Sequence, residues 1–212
     1  MFEIQNLLDI ESCLDDMQCV IFDLDDTLYS EKQYVRSGFH AAARLLPTVS
    51  DAEEQLWQAF CRGEPAFDTV LRDCDPSLRQ RCIEAYRSHT PVIRLYSGVE
   101  ELLQRLRTRG LRLGMITDGR PEGQRAKLRA LRLEPYFVII IVTDELGGIG
   151  YRKPNPTAFI KMQHFFGVPY RRMAYVGDNP QKDFVAPDLL GMRSIFFHNE
   201  GGIYNGRINR ER

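Results

Sequence analysis

Apolar and polar positions along this chain follow two rhythms. Short, nearly continuous apolar runs occupy residues 19–24, 111–116, 137–142, 173–176 and 193–197. Each has strand length, and unbroken apolar character predicts strands buried within a sheet. The run Phe137-Val138-Ile139-Ile140-Ile141-Val142 is the most β-branched and predicts burial on both faces. Helical patterns separate these runs. Ser97-Gly98-Val99-Glu100 fits a capping box that opens a helix through Arg109, stopped by Gly110. Pro121 and Pro156 suit the first turns of two more helices, the second ending at Gly167. A further helix is expected after Pro180, ending near Gly191, and a short amphipathic one over 7–17. Strand and helix alternating in this way predict an α/β fold, a parallel sheet covered on both faces.

Residues 30–95 break the pattern and contain no convincing buried strand. Tyr34, Val35, Phe39, Ala42 and Leu46 share one face of a helix over 31–46. Ser50-Asp51-Ala52-Glu53 is a second capping box, and Pro65-Ala66-Phe67 opens a short helix. Asp75-Pro76 pairs an N-cap with a first-turn proline for a helix toward His89. The expected organisation is an α/β core from 1–29 and 96–212, with an all-helical insert at 30–95. The insert either belongs to the core or, as is usual beside a reactive strand end, serves as a lid or specificity element.

Composition narrows the function classes. The 212 residues are 43% hydrophobic and 27% charged, and 28 basic against 29 acidic side chains leave a net charge of -1. Such a balance argues against a nucleic-acid partner or an anionic membrane. No apolar run has spanning length. The first seventeen positions carry Glu3, Asp9, Glu11, Asp15 and Asp16, unlike a secretory signal. Five cysteines without C-x-x-C spacing speak against a disulfide framework or zinc site; they read as small apolar filler in a reducing, cytoplasmic setting.

The first strand runs into Asp23-Leu24-Asp25-Asp26-Thr27. Side chains alternate along a strand, so Asp23 and Asp25 can leave toward one side. Two acids there can hold a divalent cation and divide nucleophile and acid work. A helix-capping acid after a strand is the plainer alternative. The second strand ends in Thr117-Asp118-Gly119, where a hydroxyl and main-chain amides can meet an anion, although Thr-Asp-Gly is also ordinary turn chemistry. A lone lysine is usually a solvated surface charge, but Lys153, locked between Arg152 and Pro154 at a helix entrance, is a better candidate for neutralising a phosphate. Gly177-Asp178 ends the fourth strand, with Asp183 five residues on; either acid would otherwise be a helix N-cap.

In order and spacing, these four motifs resemble those of the haloacid dehalogenase-like superfamily, within its phosphatase branch with a helical cap of the C1 type. The resemblance runs from Asp23 to Asp183 and implies a Rossmann-like sheet ordered 5-4-1-2-3, counting the predicted strands. It implies a hydrolase of phosphate monoesters that uses Mg²⁺ and an aspartyl-phosphate. By the family pattern, Asp23 is the nucleophile and Asp25 the acid and base. The metal ligands are the carboxylates of Asp23 and Asp178 and the main-chain carbonyl of Asp25. Thr117, the Asp118 amide and Lys153 hold the phosphate, and Asp183 orients Lys153 or a metal-bound water. The metal is expected to keep Asp23 ionised while Asp25 retains a proton. Asp118 departs from the asparagine of many relatives, adding a charge that bears on leaving-group preference. Asp26 reads as a turn residue, and His40, His89, His164 and His198 fall outside the motifs. The alternatives are a phosphomutase, a 2-haloacid dehalogenase, which needs neither metal nor acid, and a phospho-ligand binding protein without turnover. The expected partner is a small phosphorylated metabolite. Its remote end has Tyr29, Arg36, Arg62 and Arg72 as candidate contacts, or those arginines are simply solvated. Its identity, the oligomeric state and the role of the basic chain end are not readable.

Overall fold

The computed structural model describes residues 1–203; the basic chain end at 204–212 lies outside the described residues. Two compact units emerge. Met1–Glu31 joins the chain from Arg94 onward in one unit, and Lys32–Ile93 forms the other.

The first unit is built on six parallel strands: β1 (Phe2–Ile4), β2 (Cys19–Phe22), β3 (Arg112–Thr117), β4 (Ile139–Val142), β5 (Met173–Gly177) and β6 (Arg193–Phe197). Their order is β1-β6-β5-β2-β3-β4. The five predicted strands stand in the expected order, and β1 extends the sheet beside β6. Three residues are too few for periodicity to reveal. Central β2 is buried throughout, flanked by β5 and β3. Its Phe22 registers with both Met115 and Val176, so the carboxyl ends of three strands lie side by side. Strand order reverses beside β2, where ligands of open α/β sheets gather.

Helices α5 (Val99–Thr108), α6 (Pro121–Ala130), α7 (Thr157–Phe166) and α8 (Val185–Leu190) belong to this unit. An apolar stripe of Val99, Leu102, Leu103 and Leu106 buries α5. Ala158, Phe159, Met162 and Phe166 do the same for α7, which packs with Cys19, Ile21, Ile116 and Tyr175 of the sheet.

The second unit is helical: after α1 (Glu31–Ala43) come α2 (Ala52–Cys61), α3 (Ala66–Val70) and α4 (Pro76–Ser88). Ala42, Leu46, Ala52, Leu71 and Cys82 form its core. Phe39 meets Phe60, Phe67 and Tyr86 ring to ring. Asp75 caps α4 through the Ser77 amide, with Pro76 in the first turn.

Several expectations are corrected. The run 137–142 is not buried on both faces: at the sheet edge that the expected order gives β4, Ile139 and Ile140 are half-buried, and Val138 before them is 58% exposed. Its β-branching reflects strand propensity rather than two-sided burial. Neither capping box forms. Gly98 (φ 81) and Asp51 (φ 48) occupy the N-cap positions in left-handed backbone, without side-chain caps. The segment after Pro180 turns before α8 begins at Val185, and 7–17 holds a 3-10 helix, Leu7–Cys13. Cys13, Cys19 and Cys82 are buried filler, but Cys61 is exposed.

Gly114 shows how tightly α7 sits on β3. A Cβ there would lie 2.7 Å from Met162 Sδ and 3.1 Å from Phe166 Cε2. Gly114→Val is therefore expected to destabilise the protein by about 1–3 kcal/mol through overpacking. Urea denaturation checks this, and an unchanged midpoint would contradict the packing described.

Candidate active site

Asp23 and Asp178 follow directly on β2 and β5, and Thr117 ends β3. The Asp23 amide donates to the Val176 carbonyl at 2.8 Å, which extends the β2–β5 pairing to the acid itself. Asp183 closes on the same point because residue 177 is glycine: a Cβ there would lie 2.5 Å from Asp183 Oδ2. That oxygen accepts the Asn179 amide at 2.9 Å. Carboxylate oxygens of Asp23, Asp178 and Asp183 all lie within 4.8 Å of one another, and all three residues are buried.

Lys153 Nζ sits among them. It donates to Asp23 Oδ1 at 2.7 Å and Tyr175 Oη at 2.8 Å, and pairs with Asp183 Oδ1 at 2.8 Å. Burial works against its charge, but Asp183 and Asp23 outweigh it and hold the ammonium well above the ordinary lysine range. One lysine does not balance three acids. Burial, reinforced by Asp23 and Asp183, pushes Asp178 up to about 9. Burial likewise raises Asp23 to about 6, against the pull of Lys153. Crowded, under-neutralised carboxylate oxygens suit a hard divalent cation such as Mg²⁺ or Ca²⁺. Thr117 Oγ1 is buried without a hydrogen-bond partner among the described residues, a donor that an anion's oxygen would satisfy.

Asp25 stands apart from this trio. Its carboxylate receives Lys127 Nζ at 2.6 Å, Gln124 Nε2 at 3.0 Å and the Tyr29 hydroxyl. Burial alone would raise it, but the Lys127 charge and these hydrogen bonds hold it below the usual carboxylate range. Without a cation, Asp23 is the acid held high and Asp25 is held low by Lys127. The carboxylate trio consists of Asp23, Asp178 and Asp183, while the Asp25 side chain is turned to α6, in keeping with a metal role for its main-chain carbonyl alone.

The Asp118 carboxylate is also engaged. It accepts from Thr143 Oγ1 at 2.9 Å and the Lys153 amide at 3.1 Å, and pairs with Lys182 at 3.1 Å. Its extra charge therefore holds the Lys153 loop and Lys182. Tyr29 is fully buried on Asp25, not a contact for a substrate's remote end. In the helical unit, Arg36 pairs with Glu53 and Glu54, and Arg62 with Glu64.

These side chains open on a cleft of ≈ 410 Å³, lined by Asp23, Asp25, Asp118, Lys153 and Asp178 together with Glu31, Gln124, Arg152 and Lys182. Burial, and then Asp25, pushes Glu31 up to about 8. Gln124, Lys127, Lys182, Tyr175 and Glu31 were not foreseen as site residues. The spacing of Gln124 and Lys127 puts both on one helix face, but sequence does not say which face meets Asp25. Tyr175 lies two residues before Gly177, on its side of the strand.

Comparison with known proteins gives the family and the fold. The profile of the haloacid dehalogenase-like hydrolases matches residues 17–186. The chain is 36% identical over 222 aligned positions to a phosphoserine phosphatase of Thermus thermophilus, covering 85% of this chain and 88% of that one. It is 30% identical over 196 positions to a glyceraldehyde 3-phosphate phosphatase of Methanopyrus kandleri, covering 84% and 83%. Among solved structures, a HAD-superfamily hydrolase of subfamily IA from Geobacter sulfurreducens superposes with a TM-score of 0.66 at 19% identity, covering 85% of this chain and 87% of that one.

The crowding of the acids has a thermodynamic sign. The folded value of Asp178, about 9, lies above its ordinary 3.8. Its contribution is thus full below the unfolded value and is lost as pH rises through the folded one. A bound cation replaces the proton, so the rise in Tm on adding Mg²⁺ should grow by several degrees between about pH 5.5 and about pH 8.5. Asp178→Asn should flatten that dependence. Differential scanning fluorimetry tests it; a Tm increment that is absent or independent of pH would contradict it.

Proposed function

The chain belongs to the haloacid dehalogenase-like hydrolases, and from that premise we propose that it is a Mg²⁺-dependent phosphatase of a small phosphate monoester, working through an aspartyl-phosphate on Asp23. One observation carries the reading: buried Asp23, Asp178 and Asp183 converge around Lys153, and Asp23, Asp178 and Lys153 line one polar cleft. Asp23, Asp178 and the Asp25 carbonyl would hold the cation, with Asp183 near enough to join directly or through water. When bound, Mg²⁺ offsets the repulsion between an anionic ester and this acidic cleft.

The chain's own groups carry the steps. A carboxylate oxygen of Asp23 attacks phosphorus as the ester P–O bond breaks. The leaving oxygen takes a proton from Asp25 and departs as an alcohol. Asp25 rests as a carboxylate beside Lys127, so that proton arrives with the ester in its monoanionic form. Water then attacks the aspartyl-phosphate and gives a proton to Asp25, and the bond from Asp23 to phosphorus breaks to release phosphate. The Thr117 hydroxyl, the Asp118 amide and the Lys153 ammonium hold the non-bridging oxygens. Asp183 keeps Lys153 aimed at Asp23.

The cleft residues are polar or charged apart from Gly119, which suits a small polar leaving group. Glyceraldehyde 3-phosphate and phosphoserine, the substrates that name two relatives, are of that kind. The helical unit, inserted just after the loop bearing Asp25, is assigned the cap role and the choice of leaving group.

Phosphate release from 4-nitrophenyl phosphate should require Mg²⁺, stop with EDTA, and fall by about three orders of magnitude or more in Asp23→Asn, the scale of losing a nucleophile. Turnover without metal or without Asp23 would overturn the mechanism. Halide release from a 2-haloacid would favour a dehalogenase instead.

A further inference from the structure

The turn between the two motif acids and helix α1 is held from the far end of the chain. Asp26 is fully buried and has left-handed backbone (φ 54), a conformation that among non-glycine residues Asp and Asn reach most readily. The groups bonded to it follow β6. Asn199 Nδ2 donates to the Asp26 carbonyl at 2.6 Å and to the Tyr96 hydroxyl at 2.8 Å. The Ile203 amide donates to Asp26 Oδ2 at 2.7 Å, while Asp26 Oδ1 takes the Glu31 amide at 2.8 Å. The segment is itself a tight turn. Gly202 N donates to the Asn199 carbonyl at 3.0 Å and Gly201 N to Asn199 Oδ1 at 3.1 Å. A Cβ on Gly202 would crowd the Asn199 carbonyl at 3.2 Å.

Asp26 stands between two residues that face the reaction. Asp25 carries the proton-handling carboxylate, and Thr27 Oγ1 donates to Asp178 Oδ1 at 3.3 Å. Rotation of the peptides flanking Asp26 would turn both. We infer that residues 199–203 form a clamp on the catalytic turn, with Asn199 as a positioning residue: its amide on the Asp26 carbonyl sets the orientation of Asp25 for both half-reactions. Asn199 touches neither substrate nor metal in this account; it acts through the backbone. The inference rests on the phosphatase reading above.

The test uses two variants of the full chain. Asn199→Ala removes the side-chain donor, and Ile203→Pro removes the N–H donor to Asp26 while leaving Asn199 in place. Both are assayed with 4-nitrophenyl phosphate and Mg²⁺ at a temperature where circular dichroism shows them fully folded. Misplacing a catalytic group by about an ångström is worth up to about 100-fold. Each variant should therefore lose about 10-fold or more in kcat with KM within about threefold of wild type. A kcat near wild type in either variant, or a loss that merely tracks the unfolded fraction, would overturn the clamp. A wild-type protein that releases no phosphate would defeat the functional reading and the clamp with it. An active wild type with equally active variants defeats the clamp alone.

Discussion

The ion cluster around Lys153 is the constraint from which the rest of the site follows. Three carboxylates, those of Asp23, Asp178 and Asp183, are buried together, with Lys153 in direct contact with two of them and Lys182 acting from farther off. Burying charge without compensation is severely unfavourable, so such an arrangement survives only where the fold enforces it and a proton or a bound cation relieves it. The enforcement is visible in the chain. Parallel pairing of β2 with β5 delivers two acids to one level. Gly177 admits Asp183 against the strand end. Tyr175, on β5 itself, supplies a hydroxyl to Lys153 from beneath.

A second polar group lies beside the first and is chemically distinct. Asp25 is matched by Lys127, Gln124 and Tyr29. Gln124 Nε2 also donates to the Asp118 carbonyl at 2.8 Å, tying the turn after β3 to the first motif. The two acids of that motif therefore inhabit opposite environments. Asp23 sits in an excess of negative charge, and Asp25 against a dedicated cation. Separating two carboxylates by environment is how one site assigns them different tasks. Asp118 links the groups again, since its carboxylate holds Lys182 and the Lys153 amide.

What the sequence revealed followed from how local its signals are. Strand positions and the motif acids were legible because apolar runs end in Asp23, Thr117 and Gly177, and such endings need no tertiary knowledge; the strand order was implied only by the family resemblance those motifs carry. Partners contributed by distant elements were not. Lys127 lies 102 positions from Asp25, and nothing in its helix distinguishes it from a solvated lysine. Asn199 lies 173 positions from Asp26. The apolar character of 137–142 was read correctly as a strand but wrongly as one buried on both faces, because β-branching reports backbone preference and not burial. The capping boxes failed for a related reason: Gly98 and Asp51 take left-handed backbone, which replaces the side-chain cap.

The central claim is that phosphorus is transferred to Asp23 itself. The most direct measurement is a rapid acid quench of a single turnover, followed by peptide mapping of the trapped acyl-phosphate. The account predicts phosphate on the peptide that carries Asp23, absent in Asp23→Asn. Phosphate on a different residue, or turnover with no phosphorylated enzyme at any time point, would contradict it.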